Sequence, residues 1–384
     1  MTPAATATPS LPASICAGLV GAGLIAYAVL GGADFGAGVW DLLARGPRAA
    51  RQREAISHAL GPVWEANNVW LIYVIVITWT AFPLVYASVS TALFIPIVLA
   101  LVGIVLRGAG FGLRSQYARR AGIATAWGYA FNGASVIAPF MLGALAGGIA
   151  GGDILVRGGV VQANYWTTWT TPFALACGAF AVGLCATLAA TYLAVEAEAA
   201  DDAELSDDFR VRALIAGAIT AALGALAALL AAIESPTLWA GLIGKALPLS
   251  LGAMLIGLLT AVALFRGRYV WARYLVAGEM ACILAAWAVA QYPYLIIPDV
   301  TIANAAAPSS VLLAAIIASA AGMVVLLPSL WYLFHIFKGR PHATERVTAA
   351  SLADQGLRIA FAPASGDDEA EKAAGRRPHS APQP

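Results

Sequence analysis

Three acidic side chains lie inside long apolar stretches of the sequence: Asp34, Glu65 and Glu279. An ionisable group at membrane depth costs about 3 kcal/mol or more, so each of the three marks a candidate functional position. Glu54, His58 and Glu65 are separated by four and seven residues, which places them on one face if a single helix contains all three. Two carboxylates and an imidazole in a row suit the transfer of protons along that face.

Asp34 lies in a glycine-rich stretch, 31–38, which reads GGADFGAG. Glycines such as Gly36 and Gly38 allow another helix backbone to approach closely, so we expect Asp34 to face a helix contact rather than lipid. Two roles fit this pattern equally well. The carboxylate either fixes helix packing through a hydrogen bond or carries protons.

The stretch 61–71 reads GPVWEANNVWL and combines Glu65 with a helix-breaking proline and several polar side chains. A role in proton transfer is favoured over packing for Glu65, and a kink at the proline would separate it from the preceding polar residues. The neighbouring Trp64, Asn67 and Asn68 are predicted to form helix-packing contacts or a partner interface.

Glu279 and His335 are interpreted as structural residues. Glu279 is predicted to lie toward the inner end of its helix, where it either reaches toward the membrane surface or pairs with Arg273 or Arg268. His335 stands alone near the end of the last apolar stretch, and the isolated methionines suggest no second axial ligand for a haem. The four cysteines lie in apolar runs without metal-ligand spacing. We therefore predict that this chain binds no haem and no metal of its own.

The composition is that of a membrane protein. Of the 384 residues, 60% are hydrophobic and 11% are charged, and the mean hydropathy is +0.79. A soluble domain carries roughly 25% charged residues, so this chain could not cover its own surface in water. The formal net charge of +1 also excludes the concentrated basic face that a nucleic-acid partner would require. Nucleotide-binding and nucleophile motifs of soluble enzymes are missing from the sequence.

Apolar stretches of about 20 residues predict transmembrane helices. The stretch at 55–80 is the least regular because polar residues and a proline interrupt it, so eight spans plus a re-entrant segment is the alternative count. The nine candidates are 14–43, 55–80, 86–106, 122–148, 171–195, 213–233, 246–265, 274–295 and 311–337.

The distribution of basic residues predicts the orientation of these helices. With the N-terminus outside, the inner segments carry 20 of the 22 Lys and Arg residues. Nine spans with the C-terminus inside therefore satisfy the positive-inside rule. Arg107 and Arg114 would then anchor the inner end of the third span, by reaching lipid headgroups or a partner's carboxylates.

Two segments are predicted to lie outside the membrane. The acidic stretch 196–208 is interpreted as a plain solvated linker. The membrane domain is predicted to cover 1–337, and the tail at 338–384, rich in alanine, proline and charges of both signs, is predicted to be cytoplasmic and disordered.

Several motifs resemble those of subunit II of the cytochrome bd-type quinol oxidases, including the cyanide-insensitive branch. Together they span most of the chain and keep the expected order. They are the stretch at 31–38, the stretch at 61–71, RGAGFGLR at 107–114, QYPYL at 291–295 and PSLWYLFHIFKG at 328–339.

The resemblance implies an all-α polytopic membrane protein with two four-helix bundles and a peripheral helix. It implies a homologously folded partner, subunit I, which holds the quinol site, two b-type haems and one d- or b-type haem. The pair oxidises quinol and reduces dioxygen to water in a bacterial inner membrane, while subunit II carries no haem. The resemblance is also compatible with a small single-helix subunit in the complex and with a bound structural quinone or lipid.

The resemblance also assigns roles to individual residues. The acidic residue after the tryptophan of the second motif, here Glu65, belongs to a cytoplasmic proton path toward the haems. Asp34 matches the second aspartate of a DGFD-type motif, but Gly31 and Ala33 replace the first aspartate and the phenylalanine of that motif. Glu65 stands where aspartate is common, so the acid is kept but moved by about one methylene.

Two other functions remain open at the level of the sequence. A proton-coupled secondary transporter could use Asp34 and Glu65 as coupling carboxylates. Such transporters often contain matched broken helices in two halves, and the break at Gly61 and Pro62 has no equivalent in the second half. A purely structural scaffold is the third interpretation.

Overall fold

A computed structural model describes residues 8–60, 64–116 and 121–338. Long helices dominate this part of the chain, and four short strands form two hairpins. The helices are α1 (Leu11–Leu43), α2 (Ala49–Leu60), α3 (Trp64–Ala81), α4 (Pro83–Ala92), α5 (Phe94–Gln116), α6 (Ala121–Gly151), α7 (Thr167–Thr170), α8 (Pro172–Ala199), α9 (Ala203–Glu234), α10 (Pro236–Ile243), α11 (Leu247–Phe265), α12 (Tyr269–Gln291), α13 (Ile302–Ala305) and α14 (Ser309–Lys338).

The helix starts follow from local capping chemistry. The Ser10 side chain accepts a hydrogen bond from the backbone nitrogen of Ala13 at the start of α1, and Thr171 does the same for Ala174 at the start of α8. A proline occupies the first turn of both helices, where its missing N–H would have no intrahelical acceptor.

Within the described residues, eight helices are long and apolar enough to cross a membrane. The helices α3 and α4 form a pair that is bent by 117°, and this pair adds a ninth span if it counts as one. The predicted polytopic all-α fold is therefore confirmed, and both predicted counts remain compatible with the structure. The eight helices are α1, α5, α6, α8, α9, α11, α12 and α14.

Two predicted spans each cover parts of two helices. The prediction at 55–80 covers parts of α2 and α3, with 61–63 outside the described residues, and the prediction at 86–106 begins inside α4 and continues into α5. The break inside 86–106 lies at Leu93, whose φ of −112° and ψ of 30° interrupt the helix between α4 and α5. Another break lies just before Pro83, because a proline disfavours the helical conformation of the residue before it. Phe82 accordingly leaves the helical region, with φ −136° and ψ 63°, and α3 ends at Ala81.

The spanning helices form two groups. In the first, α5 packs on α6, α6 on α1, and α1 on α3; in the second, α8, α9, α11 and α12 close a ring of contacts. Contacts of α1 and α6 with α8 join the two groups. This order is compatible with the predicted pair of four-helix bundles, whose detailed arrangement remains a prediction. Leu312 of α14 packs near Cys16 of α1, at the edge of the first group.

Two antiparallel hairpins meet at one end of the helices. In the first, β1 (Leu155–Arg157) pairs with β2 (Val160–Gln162) around Gly158 and Gly159, whose φ values of 58° and 79° suit a tight primed turn. In the second, β3 (Tyr294–Ile296) pairs with β4 (Val300–Thr301). The backbone nitrogen of Val156 donates to Asp299 Oδ2 at 3.1 Å and joins the hairpins.

The acidic stretch before α9 is not the plain solvated linker that the sequence predicts. Arg51 of α2 contacts Asp202 at 2.5 Å and Glu204 at 3.1 Å, and Arg48 contacts Glu204 at 2.9 Å and Asp208 at 3.2 Å. The Arg51 guanidinium holds the pKa of Asp202 below its usual range. These five residues, termed the α2 ion-pair cluster, fasten α2 to the start of α9.

The chain divides into two units, 1–331 and 332–384. Of the second unit, the structure describes only the final turns of α14, in which His335 is exposed. The predicted cytoplasmic tail falls outside the described residues except for Lys338, so its disorder and its location remain predictions.

Candidate functional site between α1, α3 and α5

Asp34 lies in a mostly buried polar cluster formed by three helices. The side-chain amide of Asn67 on α3 donates to Asp34 Oδ2 at 2.8 Å and to the backbone carbonyl of Leu30 at 2.9 Å. Asn67 is buried, and these two bonds use both donors of its amide nitrogen. The amide therefore links α3 to two successive turns of α1.

Arg107 of α5 completes this cluster. Its Nη1 donates to the backbone carbonyl of Asp34 at 3.4 Å, and its Nη2 lies 3.9 Å from Asp34 Oδ2. The side chains of Arg107 and Asp34 are only 5% and 13% exposed. The guanidinium also lies 4.8 Å from the centre of the Phe35 ring, where a cation–π contact adds to the ion pair. Asp34, Asn67 and Arg107 are termed the α1 polar cluster.

This position differs from the predicted interfacial anchoring of Arg107. The predicted span ends at 106, whereas α5 continues to Gln116 and places Arg107 more than two turns from the C-terminal end of the helix. A charged side chain at that depth needs a partner of opposite charge, and Asp34 provides it. The side chain of Arg114 lies outside the described part of the chain, so its anchoring role remains a prediction.

The glycines around Asp34 bring two further helices, α8 and α6, close to the cluster. A Cβ at Gly36 would collide with the backbone carbonyl of Cys185 on α8. A Cβ at Gly38 would collide with the side chain of Ser135 on α6. Trp40 strengthens the α1–α8 contact, because its indole nitrogen donates to the carbonyl of Ala186 at 2.8 Å. Both glycines therefore lie at close helix contacts, as the stretch 31–38 suggests.

Two polar residues of α1 were missed by the sequence reasoning. Tyr27 and Asp41 lie seven residues before and after Asp34, so all three share one helix face. Both are buried, at 6% and 2% exposure, and Arg53 Nε lies 3.9 Å from Asp41 Oδ1. The seven-residue spacing in the sequence could have identified this shared helix face. It would have extended the polar face of α1 toward both helix ends.

The predicted relay of Glu54, His58 and Glu65 falls on α2 and α3, with 61–63 between them outside the described residues, so its alignment on one helix face remains a prediction. Glu54 belongs to α2 and is exposed, whereas Glu65 belongs to α3. The side chains of His58, Glu65 and Trp64 lie outside the described residues. Asn68 follows Asn67 on α3, is half-buried, and makes no side-chain contact comparable to that of its neighbour among the described residues.

Glu279 does not pair as predicted. Arg273 contacts Glu196 of α8 at 3.4 Å and lies 4.9 Å from the centre of the Tyr192 ring. Since α12 begins at Tyr269 rather than at 274, Glu279 lies ten residues into the helix, near its middle. Its carboxyl group lies against Gly257 of α11 instead.

The α1 polar cluster contains a carboxylate, an amide and a guanidinium. These groups can hold a charge or a proton inside the membrane, but they are not ligands for a haem iron. Among the described residues there is also no group of three or more His, Cys, Asp or Glu side chains arranged to hold a metal ion. The α1 polar cluster therefore pairs a buried guanidinium with a mostly buried carboxylate.

Two curated relatives resemble parts of this chain. The chain is 28% identical over 180 residues to "Cytochrome bd-I ubiquinol oxidase subunit 2" of Escherichia coli strain K12, an alignment covering 46% of each protein. It is 30% identical over 127 residues to "Cytochrome bd ubiquinol oxidase subunit 2" of Bacillus subtilis strain 168, covering 33% of this chain and 37% of that relative. The alignments thus span less than half the length of these two relatives.

A solved structure shares the fold. A chain of the bd oxidase from Geobacillus thermodenitrificans superposes with a TM-score of 0.69 at 21% sequence identity. The superposition covers 86% of this chain and the whole of that one. At this identity the likeness shows a common arrangement of helices.

The helices and the buried charges define a multi-pass helical membrane protein of the bacterial inner membrane. The chain belongs to the family "Cytochrome bd terminal oxidase subunit II", whose model matches residues 12–337. The family predicted from the motifs is therefore confirmed. This membership does not favour the alternative of a proton-coupled secondary transporter.

Proposed function

We propose that this chain is the haem-free subunit II of a terminal oxidase that oxidises quinol and reduces dioxygen to water. The observation that carries the proposal is the α1 polar cluster. It places the first motif's Asp34, the second motif's Asn67 and the third motif's Arg107 in direct contact. Three motifs of one family thus converge on a single charged site inside the membrane, which supports a shared role in the complex.

The partner in this proposal is a haem-bearing subunit I, joined in some complexes by a small single-helix subunit. The haems and the quinol site lie in subunit I, and a structural quinone or lipid could fill a cavity of this chain. The membrane domain stabilises subunit I, and the α1 polar cluster keeps its charges paired within this chain.

Co-purification in mild detergent tests this assignment. We expect a partner chain that contributes haem absorbance in a reduced-minus-oxidised spectrum, and we expect this chain alone to be colourless. Stoichiometric haem on the isolated chain, or purification without any haem-bearing partner, would contradict the proposal. Purification without a haem-bearing partner would favour a transporter or a structural scaffold.

The proposal also assigns Glu65 to a cytoplasmic proton path, together with Asp34 and His58. Glu65 is supported by its position in α3, two residues before Asn67, which binds Asp34. The path would run from α2, which carries His58, to α3, which carries Glu65. The orientation that places α2 on the inner side, with the N-terminus outside, rests on the positive-inside rule.

Two substitutions of Glu65 separate proton transfer from packing. Glu65→Gln keeps the size of the side chain and removes the exchangeable proton, whereas Glu65→Asp keeps the acid and shortens its reach. We expect Glu65→Gln to assemble with normal haem content and to lose most oxygen-reducing turnover, while Glu65→Asp retains much of it. Normal turnover of an assembled Glu65→Gln complex would assign the proton path to the partner subunit.

A further inference from the structure

Glu279 is an acidic side chain in the middle of a membrane-spanning helix. α12 spans 23 residues, or about 34 Å, and Glu279 lies about 15 Å from its first residue. Gly257, the residue that it contacts, lies at the middle of α11. The side chain is half-buried, so the groove between the two helices holds its carboxyl group far from either membrane surface.

The contact with Gly257 is close and specific to a glycine. A Cβ built at position 257 would lie 2.6 Å from Glu279 Oε1 and 3.1 Å from its carboxyl carbon. At Gly252, one and a half turns earlier on α11, a Cβ would meet only Cys282 Sγ at an ordinary 3.5 Å. The missing side chain of Gly257 therefore creates the space that the carboxyl group occupies.

No cation offsets a negative charge at Glu279 among the described residues. α11 and α10, which pack against α12, contain no titratable side chain. On α12 itself, Arg273 is engaged with Glu196 and Tyr192 of α8. The other titratable residues of the packed helices are tyrosines, cysteines and acids, none of which carries a positive charge. They are Tyr269, Tyr274 and Cys282 of α12, Cys177, Cys185 and Glu198 of α8, and Cys16, Tyr27, Asp34 and Asp41 of α1.

The contrast with Asp34 indicates the state of Glu279. Asp34 has a guanidinium 3.9 Å away and an amide donor at 2.8 Å, both of which stabilise the ionised carboxylate. Glu279 has neither. An unpaired carboxylate in a low-dielectric site is strongly disfavoured, and the group takes up a proton instead.

We propose that Glu279 is a proton-binding site of the second helix group, a neutral carboxylic acid held over Gly257 that reacts with membrane-soluble carbodiimides. This inference does not rest on the proposed oxidase function, because it concerns the state of one residue rather than turnover. In the reaction the acid proton moves to a carbodiimide nitrogen and the carboxyl oxygen bonds to the central carbon. The resulting O-acylisourea rearranges to a stable N-acylurea, so all atoms of both reactants remain in the adduct.

Labelling of the intact complex provides the first test. The full chain, purified with its partner and placed in phosphatidylcholine nanodiscs, is treated with dicyclohexylcarbodiimide at about pH 7 and digested for mass spectrometry. We expect at least tenfold more adduct on Glu279 than on Asp34, which is the internal control for a paired carboxylate. Equal labelling of the two residues, or no adduct on Glu279, would overturn the proposal.

Infrared spectroscopy tests the same state without a reagent. We expect the carbonyl band of a protonated carboxylic acid in the wild-type complex, lost in Glu279→Gln and kept in Glu196→Gln, since Glu196 pairs with Arg273. Gly257→Ala should shift the frequency of that band because the new methyl group displaces the carboxyl group, whereas the matched Gly252→Ala should leave it unchanged. If the intensity of the carbonyl band is the same in Glu279→Gln as in the wild type, Glu279 contributes no protonated acid and the proposal is wrong.

Discussion

Gly36 of α1 lies directly against the backbone carbonyl of Cys185 on α8. This contact joins the first helix group to the second, only two residues from Asp34. The close approach is possible because a glycine has no Cβ, which is how small residues bring membrane helices together. Asp34 thus lies where α1, α3 and α5 of the first group meet α8 of the second group.

Substitution of Gly36 should disrupt the junction between the two groups. In Gly36→Ala the new Cβ meets backbone atoms of α8, which cannot rotate away, so we expect destabilisation of about 1–3 kcal/mol or more and a lower yield of assembled complex. Gly18→Ala, on the same helix, is the matched control because a Cβ there has nothing within 4 Å. Thermal unfolding of both purified complexes measures the difference, and equal melting temperatures would contradict the contact.

Removal of Arg107 should take away the guanidinium that lies beside Asp34. Breaking a buried ion pair by removing one partner costs about 3–5 kcal/mol, so we expect Arg107→Ala to assemble poorly. The exposed Arg45 supplies the control, and Arg45→Ala should assemble normally. Adding Asp34→Asn to Arg107→Ala should restore part of the yield, because the double variant removes both charges of the pair. A complex that assembles normally with Arg107→Ala but does not turn over would instead assign Arg107 a role in the chemistry.

The sequence predicts the spanning helices well where apolar stretches are long and uninterrupted. The prediction at 246–265 coincides almost completely with α11, and glycines at 36 and 38 indicate close helix contacts that the structure contains. These features depend on hydrophobicity and side-chain size, which are local properties of the chain.

Features that depend on partners distant in the sequence were not predicted. From the sequence, Arg107 is predicted to lie at the membrane interface. In the structure α5 continues past Arg107, and Asp34 lies beside it. The α2 ion-pair cluster joins residues about 150 positions apart, so the acidic stretch alone gives no sign of its basic partners. Local patterns locate charges along the chain, whereas tertiary contacts decide which charges meet.

The α2 ion-pair cluster should loosen at low pH. The Arg51 contact lowers the pKa of Asp202 in the folded state below its unfolded value of about 3.9. A depressed carboxyl pKa stabilises the fold above the unfolded pKa, and this contribution is lost as the pH falls through the folded pKa. A spin label at the exposed Ala50 should therefore gain mobility below about pH 4. Because the ion pairs are exposed, about 1 M salt should have a similar effect at neutral pH.

A double variant provides the control for this titration. Arg51→Gln combined with Asp202→Asn keeps the size of both side chains and removes their charges. The label at Ala50 should be more mobile in this variant at neutral pH and should respond less to acid. If the acid response is unchanged, the contacts of Arg48, rather than those of Arg51, hold α2 against the start of α9.

Asn67 and Asn68 offer a matched pair of neighbours with different surroundings. The Asn67 amide donates to Asp34 and to Leu30, whereas Asn68 is half-buried and has no comparable contact among the described residues. Asn67→Leu keeps a similar shape and leaves an Asp34 oxygen and a buried carbonyl without their donor, which costs about 1–3 kcal/mol for such a group. We expect Asn67→Leu to lower the melting temperature and yield of the complex, and Asn68→Leu to leave both nearly unchanged. If the two variants behave alike, the hydrogen bonds of Asn67 do not stabilise the α1 polar cluster.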